Sequence, residues 1–141
     1  MTDRDRLAAY AATFAAMAPD RLDDLRDWFT PDARFKDPFN DVVGHEAILA
    51  IFRHMYTQVE SPRFEVLDSA ISDACGYLWW VMHYERGGRA GRIDGLSRVT
   101  FAEDGRVSEH IDYWDPAEQL YESLPVLGAV LRAIKRRLAA S

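Results

Sequence analysis

The fold is decided by residues 64–115, FEVLDSAISDACGYLWWVMHYERGGRAGRIDGLSRVTFAEDGRVSEHIDYWD. This stretch is rich in β-branched and aromatic residues, and it is interrupted at Gly76, at Gly87-Gly88 and at Glu103-Asp104-Gly105. Gly-Gly and Asp-Gly between such runs are typical of tight β-hairpins. The pattern predicts an antiparallel meander of four strands, covering Phe64–Ala74, Tyr77–Arg86, Arg92–Phe101 and Val107–Asp115.

The residues before this meander have mostly helical periodicity. Capping residues Thr2 and Asp20 predict two helices, and Gly44 begins a third. Thr30-Pro31-Asp32 indicates a turn, and Ala33–Asp37 is predicted as a short strand because a residue before proline disfavours helical geometry. Helices gathered before an antiparallel sheet place the chain in the α+β class.

Length and composition indicate one globular domain. The chain has 141 residues, of which 48% are apolar and 28% are charged. This size and balance are ordinary for a single soluble domain with one core. We therefore expect one domain over residues 1–141, in which 117–141 form a C-terminal helical extension.

Charge and cysteine content argue against several function classes. The formal net charge of −6 disfavours a general nucleic-acid binder, which usually has a basic surplus. No stretch approaches the roughly twenty apolar residues of a membrane span, and the N-terminus lacks the apolar run of a signal peptide. The lone Cys75 cannot form an internal disulfide, so we expect a cytoplasmic location.

Motifs for metals and cofactors are not recognisable in the sequence. The four histidines lack metal-ligand spacing, and no nucleotide-binding loop or nucleophile elbow is present. We expect neither a metal nor a cofactor.

The segment from Val126 onward carries four basic residues and no acidic one. It could lie on an anionic membrane surface, but packing against the domain or a second subunit is favoured, since one short helix binds membranes only marginally.

Two segments carry a resemblance to a known family. They are WFTPDARFKDPFNDVVGHEAILAIF (Trp28–Phe52) and GLSRVTFAEDGRVSEHIDYWDP (Gly95–Pro116). They resemble the nuclear transport factor 2-like superfamily, above all its ketosteroid-isomerase-like and polyketide-cyclase-like (SnoaL-like) branches. The resemblance implies a cone-shaped, curved antiparallel sheet, wrapped by the N-terminal helices around a pocket for a small apolar molecule. Trp79 and Trp80 point to opposite sheet faces, and the family usually covers the outer face with a second copy, so we expect a homodimer.

Asp37 is the first candidate for chemistry. Lys36-Asp37-Pro38 resembles the position of the proton-shuttling aspartate of ketosteroid isomerase. The alternative is a carboxylate that caps the turn before the third helix. The oxyanion-hole positions of that enzyme fall here on Ser97 and Thr13, with Tyr10 almost a turn away. The hydroxyls of Ser97 and Thr13 are weaker donors than a phenol and a carboxylic acid, so steroid isomerisation is not predicted.

His110 and Asp112 form the second candidate, because residues two apart on a strand share a face. Trp114 continues this row, and the resemblance places the row in the pocket. Asp112 resembles the last-strand aspartate that acts as acid or base in cyclase-like and epoxide-hydrolase-like members. An imidazole beside a carboxylate is a suitable proton-transfer unit. The alternative is that the two side chains only satisfy each other inside the sheet.

The leading hypothesis is a cofactor-independent proton-transfer enzyme of the isomerase or cyclase type. Its catalytic residues would be Asp112, His110 and Asp37, and the alternative is a ligand-binding or partner-binding domain of the same fold. The Arg-x-Asp pair used by the epoxide hydrolases is missing from the second meander strand, which disfavours epoxide opening. Aromatic rings and hydroxyl groups supply the candidates for substrate binding: Tyr10, Thr13, Phe14, Phe39, Trp80, Ser97 and Trp114.

Overall fold

The computed structural model describes residues 1–121 and 124–140. A six-stranded sheet forms the body, with helices on its inner face and at the C-terminus. In chain order the elements are α1 (Asp3–Ala15), a 3₁₀ segment (Pro19–Trp28), β1 (Phe29–Lys36), β2 (Asp41–Val43), α2 (His45–Gln58), β3 (Glu60–Ile71), β4 (Gly76–Arg86), β5 (Arg89–Phe101), β6 (Val107–Tyr113), α3 (Pro116–Gln119) and α4 (Pro125–Leu138).

The meander has the predicted connectivity. Strands β3 to β6 pair antiparallel with their neighbours in the sheet order β2-β1-β6-β5-β4-β3. The β4–β5 hairpin turns at Gly87 and Gly88, whose φ angles are 58° and 78°. Two successive positive φ angles are required by the turn type that matches strand twist, which explains the glycine pair. The α+β class and the curved sheet wrapped by N-terminal helices are confirmed.

The first strand departs from the prediction in two ways. Thr30-Pro31-Asp32 lies inside β1, so the expected turn is wrong; the pairing register shifts between Phe29 and Arg34 instead. β1 also runs parallel to β6, for example with Phe35 beside His110, which makes the sheet mixed rather than wholly antiparallel. Burial favours this pairing, because it leaves Phe29, Ala33 and Phe35 almost fully enclosed in the core.

The helices close the inner face of the sheet. α1 starts with a capping box, in which the Thr2 hydroxyl accepts from the Asp5 amide and the Asp5 carboxylate accepts from the Thr2 amide. It packs on β3 and β4, and α2 packs on β1 and β3. Their buried side chains form one core with the inner residues of the strands, including Leu7, Tyr10, Phe14, Leu25, Ile48, Leu49, Phe52, Leu78, Val99 and Val107.

The C-terminal segment is attached to the sheet by a short helix. Asp115 caps α3 by accepting from the amides of Ala117 and Glu118. Gln119 then binds β5, donating to the Asp94 carbonyl and accepting from its amide. α4 buries only Gly128. Residues 122, 123 and 141 of the predicted extension lie outside the described residues, and no described helix is long and apolar enough to cross a membrane.

Candidate active site

A cavity of about 390 Å³ opens between α2, the β1–β2 turn and the inner face of β4 to β6. Small-molecule sites usually measure about 300–1,000 Å³. A small recess at its inner end is lined by Phe14, Leu78, Ser97 and His110, and it shares Phe52, Phe64, Trp80 and Asp112 with the main cavity. Most lining side chains are apolar, and Asp112 lies where the recess and the cavity meet.

Asp112 is held through one of its two carboxylate oxygens. The Ser97 hydroxyl donates to Oδ1 at 2.5 Å, and His110 Nε2 lies 2.7 Å from the same oxygen. Oδ2 makes no hydrogen bond to any described residue. Its side chain is 16% exposed, and the residue lines the cavity. The carboxylate therefore has a fixed orientation and one oxygen available to a ligand.

Strand register brings these groups together. Ser97 on β5 lies directly opposite Asp112 on β6, and Val99 lies opposite His110. Residues two apart on a strand share a face, so Ser97, His110 and Asp112 all project inward. The period-two pattern predicted the His110–Asp112 pair from sequence, and the pairing of β5 with β6 adds the serine.

Tyr10 completes the environment of His110 from α1. Its hydroxyl lies 2.7 Å from His110 Nδ1, and both side chains are buried. With a carboxylate against Nε2, that nitrogen carries the ring hydrogen, so Nδ1 accepts from the tyrosine. Burial raises the pKa of Tyr10 well above its usual value, and the nearby Asp112 charge adds to this effect. The hydroxyl therefore stays protonated and keeps donating.

Trp80 supports the serine from the other side. Its Nε1 donates to Ser97 Oγ at 2.8 Å. Gly95 lies opposite Trp80 on β5, and a Cβ placed on this glycine would be 2.4 Å from the indole carbon Cζ2. The missing side chain lets the indole lie against the β5 backbone and reach the serine. A continuous hydrogen-bonded chain results, from Trp80 through Ser97, Asp112 and His110 to Tyr10.

Asp37 lines the cavity but is bonded within its own turn. Oδ1 accepts from the amides of Phe39 and Asn40, and the Asn40 side-chain amide contacts both oxygens. These bonds are those of the turn-capping alternative. The neighbouring Phe39 packs edge-on against Trp114, with ring centroids 5.5 Å apart, and the two rings form the outer wall of the cavity.

Thr13 does not reach this site. Its hydroxyl accepts from Trp28 Nε1 at 2.9 Å and donates to the Ala9 carbonyl at 3.1 Å. It lines a separate groove between α1 and the 3₁₀ segment, together with Met17 and Arg21. Among the other residues predicted for substrate binding, Phe14 lies at the inner recess and Trp80 and Trp114 line the main cavity. Tyr10 lines neither and is hydrogen-bonded to His110.

Three polar residues at the outer part of the cavity were missed from sequence. They are His54 and Gln58 on α2 and Arg86 at the end of β4. The helical pair is spaced i, i+4 and therefore shares a face. Arg86 is in the same alternating row as Trp80 and Met82, so strand periodicity could have placed it. The described residues contain no group of three or more side chains able to hold a metal ion.

The protein-family model that describes the SnoaL-like domain matches residues 9–110 of this chain. The chain belongs to the SnoaL-like family. The matched range begins in the middle of α1, runs into β6 and ends two residues before Asp112. The predicted membership is confirmed. A comparison with curated proteins finds no match.

Solved structures share the fold. A nuclear transport factor 2-like protein from Burkholderia pseudomallei is 19% identical with a TM-score of 0.72, covering 84% of this chain and 95% of its own. A protein with a ketosteroid isomerase-like fold from Catenulispora acidiphila, in complex with trimethylamine, is 16% identical with a TM-score of 0.71, covering 88% and 96%. TerC, crystallised with polyporic acid, is 16% identical with a TM-score of 0.70, covering 82% and 93%. At these identities the similarity establishes the fold alone.

Proposed function

We propose that this protein is a cofactor-independent enzyme that moves a proton on a small, largely apolar molecule, with Asp112 as the acid/base group. The observation that carries the proposal is the asymmetry of the Asp112 carboxylate. Oδ1 is fixed by Ser97 and His110, whereas Oδ2 takes no hydrogen bond from the described residues beside the cavity. A general base needs one free lone pair held in a constant direction, and this carboxylate meets that need.

The reaction would begin with transfer of a proton from a substrate carbon to Oδ2. The electron pair of the broken C–H bond stays on the substrate as an enolate or an equivalent anion. Return of the proton from Oδ2 to another atom completes an isomerisation. Alternatively, attack of the carbanion on a carbonyl of the same molecule closes a ring, and the alkoxide that forms takes the proton back from Oδ2. In both cases Asp112 ends as it began, which is consistent with chemistry that consumes no cofactor.

His110 and Tyr10 are positioning residues in this proposal. His110 holds Oδ1, and Tyr10 keeps the hydrogen of the imidazole on Nε2 by donating to Nδ1. Phe35 stacks on the imidazole, with centroids 4.6 Å apart and planes 16° apart, and fixes the ring plane. Asp37 is given no step, because its oxygens are bonded within the turn that forms the cavity wall.

A purely binding role is the second candidate. It is favoured by the mutual hydrogen bonding of Ser97, His110 and Asp112, which satisfies most of their polar atoms without a substrate. The complex of the Catenulispora relative with trimethylamine supports a small-molecule site in this fold. In that case the cavity would hold a ligand whose hydrogen-bond donor meets Asp112 Oδ2, and no bond would change.

Elimination of a nitrobenzisoxazole separates the two candidates. This small aromatic probe loses a C–H proton to a base and releases a coloured phenolate. General-base catalysis is worth about 10²–10⁴ in rate, so Asp112→Asn should lower the turnover of the probe by that order. Asp37→Asn is the matched control and should keep most of the rate. Equal rates in wild type and Asp112→Asn, with the probe still bound, would leave only the binding role.

We also propose a homodimer formed through the outer sheet face. Trp79, Leu96 and Tyr113 are 44%, 41% and 52% exposed, and they lie side by side across β4, β5 and β6. A continuous apolar row on an exposed sheet is typical of a protein contact. The family resemblance supports a second copy as its cover. Light scattering should give twice the chain mass, and Leu96→Glu should give the monomer mass while keeping the fold.

A further inference from the structure

The outer half of the cavity differs in chemistry from its inner end. Asp112 lies at the inner end among aromatic rings, whereas His54, Gln58 and Arg86 line the outer part. The side chains of these three residues make no ion pair or hydrogen bond with any part of the chain that the structure describes. All three can donate hydrogen bonds, and arginine is always charged.

Arg86 differs from the arginines whose charge is already paired with an acid. Arg26 and Arg34 bind nearby carboxylates, and Arg98 and Arg106 do so as well. Arg86 lies opposite Arg89 at the tip of the β4–β5 hairpin. Arg89 likewise makes no side-chain hydrogen bond or ion pair with a described residue. Two adjacent positive charges repel each other, and an anion between or beside them would relieve that repulsion.

The acidic groups around the cavity do not neutralise this cluster. Asp37 and Asp112 are the acids among the described lining residues. The oxygens of Asp37 accept from its own turn, and Oδ1 of Asp112 accepts from Ser97 and His110 at the inner end. The negative charge of Asp112 also disfavours an anionic group at the inner end. An anionic group of a ligand is therefore directed to the outer end.

The volume and the walls of the cavity limit the shape of such a ligand. Between the ends the cavity walls are apolar, with Ile51, Met55, Met82 and Ile93 among them. A volume of about 390 Å³ has room for a molecule of two fused or linked rings.

We propose that the substrate is an amphipathic anion: an apolar, ring-containing body that presents its reacting carbon to Asp112 and a carboxylate or comparable oxyanion to Arg86, with His54 and Gln58 as further donors. The inference rests on the proposed function for the role of Asp112. Anion recognition itself rests on the outer cluster and can be measured without turnover.

Calorimetric titration with biphenylcarboxylate and the neutral, isosteric biphenylcarboxamide tests the proposal. The wild type should bind the carboxylate more tightly, and raising the salt concentration should weaken that preference because exposed charges are screened. Arg86→Gln should lower the ratio of the two affinities about tenfold, the lower end expected for a hydrogen bond to a charged group at a partly exposed site. Arg92→Gln is the control, because it removes the same charge from the same hairpin at a residue that does not line the cavity. The ratio of its affinities for the two probes should equal that of the wild type.

Each outcome has one meaning. A wild type that binds both probes equally, or an Arg86→Gln variant with an unchanged ratio, overturns the proposed anionic substrate. Loss of both probes in Arg86→Gln would point to a damaged cavity, and Arg86→Lys then decides, because restored carboxylate preference supports charge recognition and continued loss refutes it. Failure of the Asp112→Asn test with nitrobenzisoxazole would remove the enzymatic role and leave this affinity ratio untouched.

Discussion

The buried hydroxyl of Tyr10 allows a sharp prediction for the substitution Tyr10→Phe. The variant keeps the aromatic ring and its edge-on contacts with Phe14, Trp28 and Phe29. It removes the donor to His110 Nδ1, an atom in a side chain that is only 4% exposed. A buried acceptor without a partner costs about 1–3 kcal/mol. We expect the free energy of unfolding to fall by that amount, with no change in secondary structure.

Urea unfolding followed by circular dichroism measures this difference. Tyr56→Phe is the matched control, because Tyr56 is half-buried and its hydroxyl makes no hydrogen bond to a described residue. Its stability should stay within about 0.5 kcal/mol of the wild type. The slope of free energy against urea should be the same for all three proteins, since the surface exposed on unfolding does not change.

Nitrogen NMR of the imidazole gives a second, independent readout. In the wild type the hydrogen of His110 should be on Nε2, directed at Asp112, whereas in Tyr10→Phe this preference should weaken. Equal stability of the two tyrosine variants would refute the donor role of Tyr10. It is also refuted if the wild-type ring carries its hydrogen on Nδ1, because Tyr10 could not then be the donor.

Further substitutions and pH test other parts of the structure. Gly95→Ala should displace Trp80 and destabilise the protein by about 1–3 kcal/mol through overpacking, seen as a lower urea midpoint and a changed tryptophan emission. Asp37→Ala should remove the hydrogen bonds of the turn that forms the cavity wall and weaken probe binding, which calorimetry detects. The pKa of Tyr10 is raised in the folded state above the ordinary tyrosine value of 10.0. Above pH 10 the unfolded chain therefore binds fewer protons than the folded protein, so wild-type stability should fall as the pH rises through and above 10. Tyr10→Phe should show a smaller fall over the same range.

The sheet illustrates what local sequence can and cannot predict. The four-stranded meander was predictable because each hairpin joins strands that are adjacent in sequence, with the turn residues Gly87-Gly88 and Asp104-Gly105 at two of the turns. The parallel pairing of β1 with β6 joins residues far apart along the chain, such as Arg34 and Glu109, which are separated by 75 positions. No turn motif encodes that contact. It follows from burial of one face of β1, which is a property of the assembled core.

The candidate site was predictable to a similar degree. Strand periodicity placed His110 and Asp112 on one face, and their hydrogen bond follows from that spacing. The bond from Ser97 depends on the β5–β6 register, which no residue pattern specified beforehand. Thr13 was predicted to bind substrate, but its hydroxyl accepts a hydrogen bond from the indole of Trp28 and lies in another groove. The polar residues of the outer cavity were missed because a lone arginine ending a strand is usually solvated.

The proposed function requires Asp112 Oδ2 to meet the reacting part of a ligand inside the cavity. A crystal structure with bound phenol, a small aromatic molecule whose hydroxyl stays protonated at neutral pH and can donate a hydrogen bond, is the first measurement to make. We expect the phenol oxygen within about 2.5–3.0 Å of Oδ2, with Ser97 and His110 still bonded to Oδ1. A ligand bound in the groove beside Thr13, or an Asp112 carboxylate with both oxygens engaged by the protein, would contradict it.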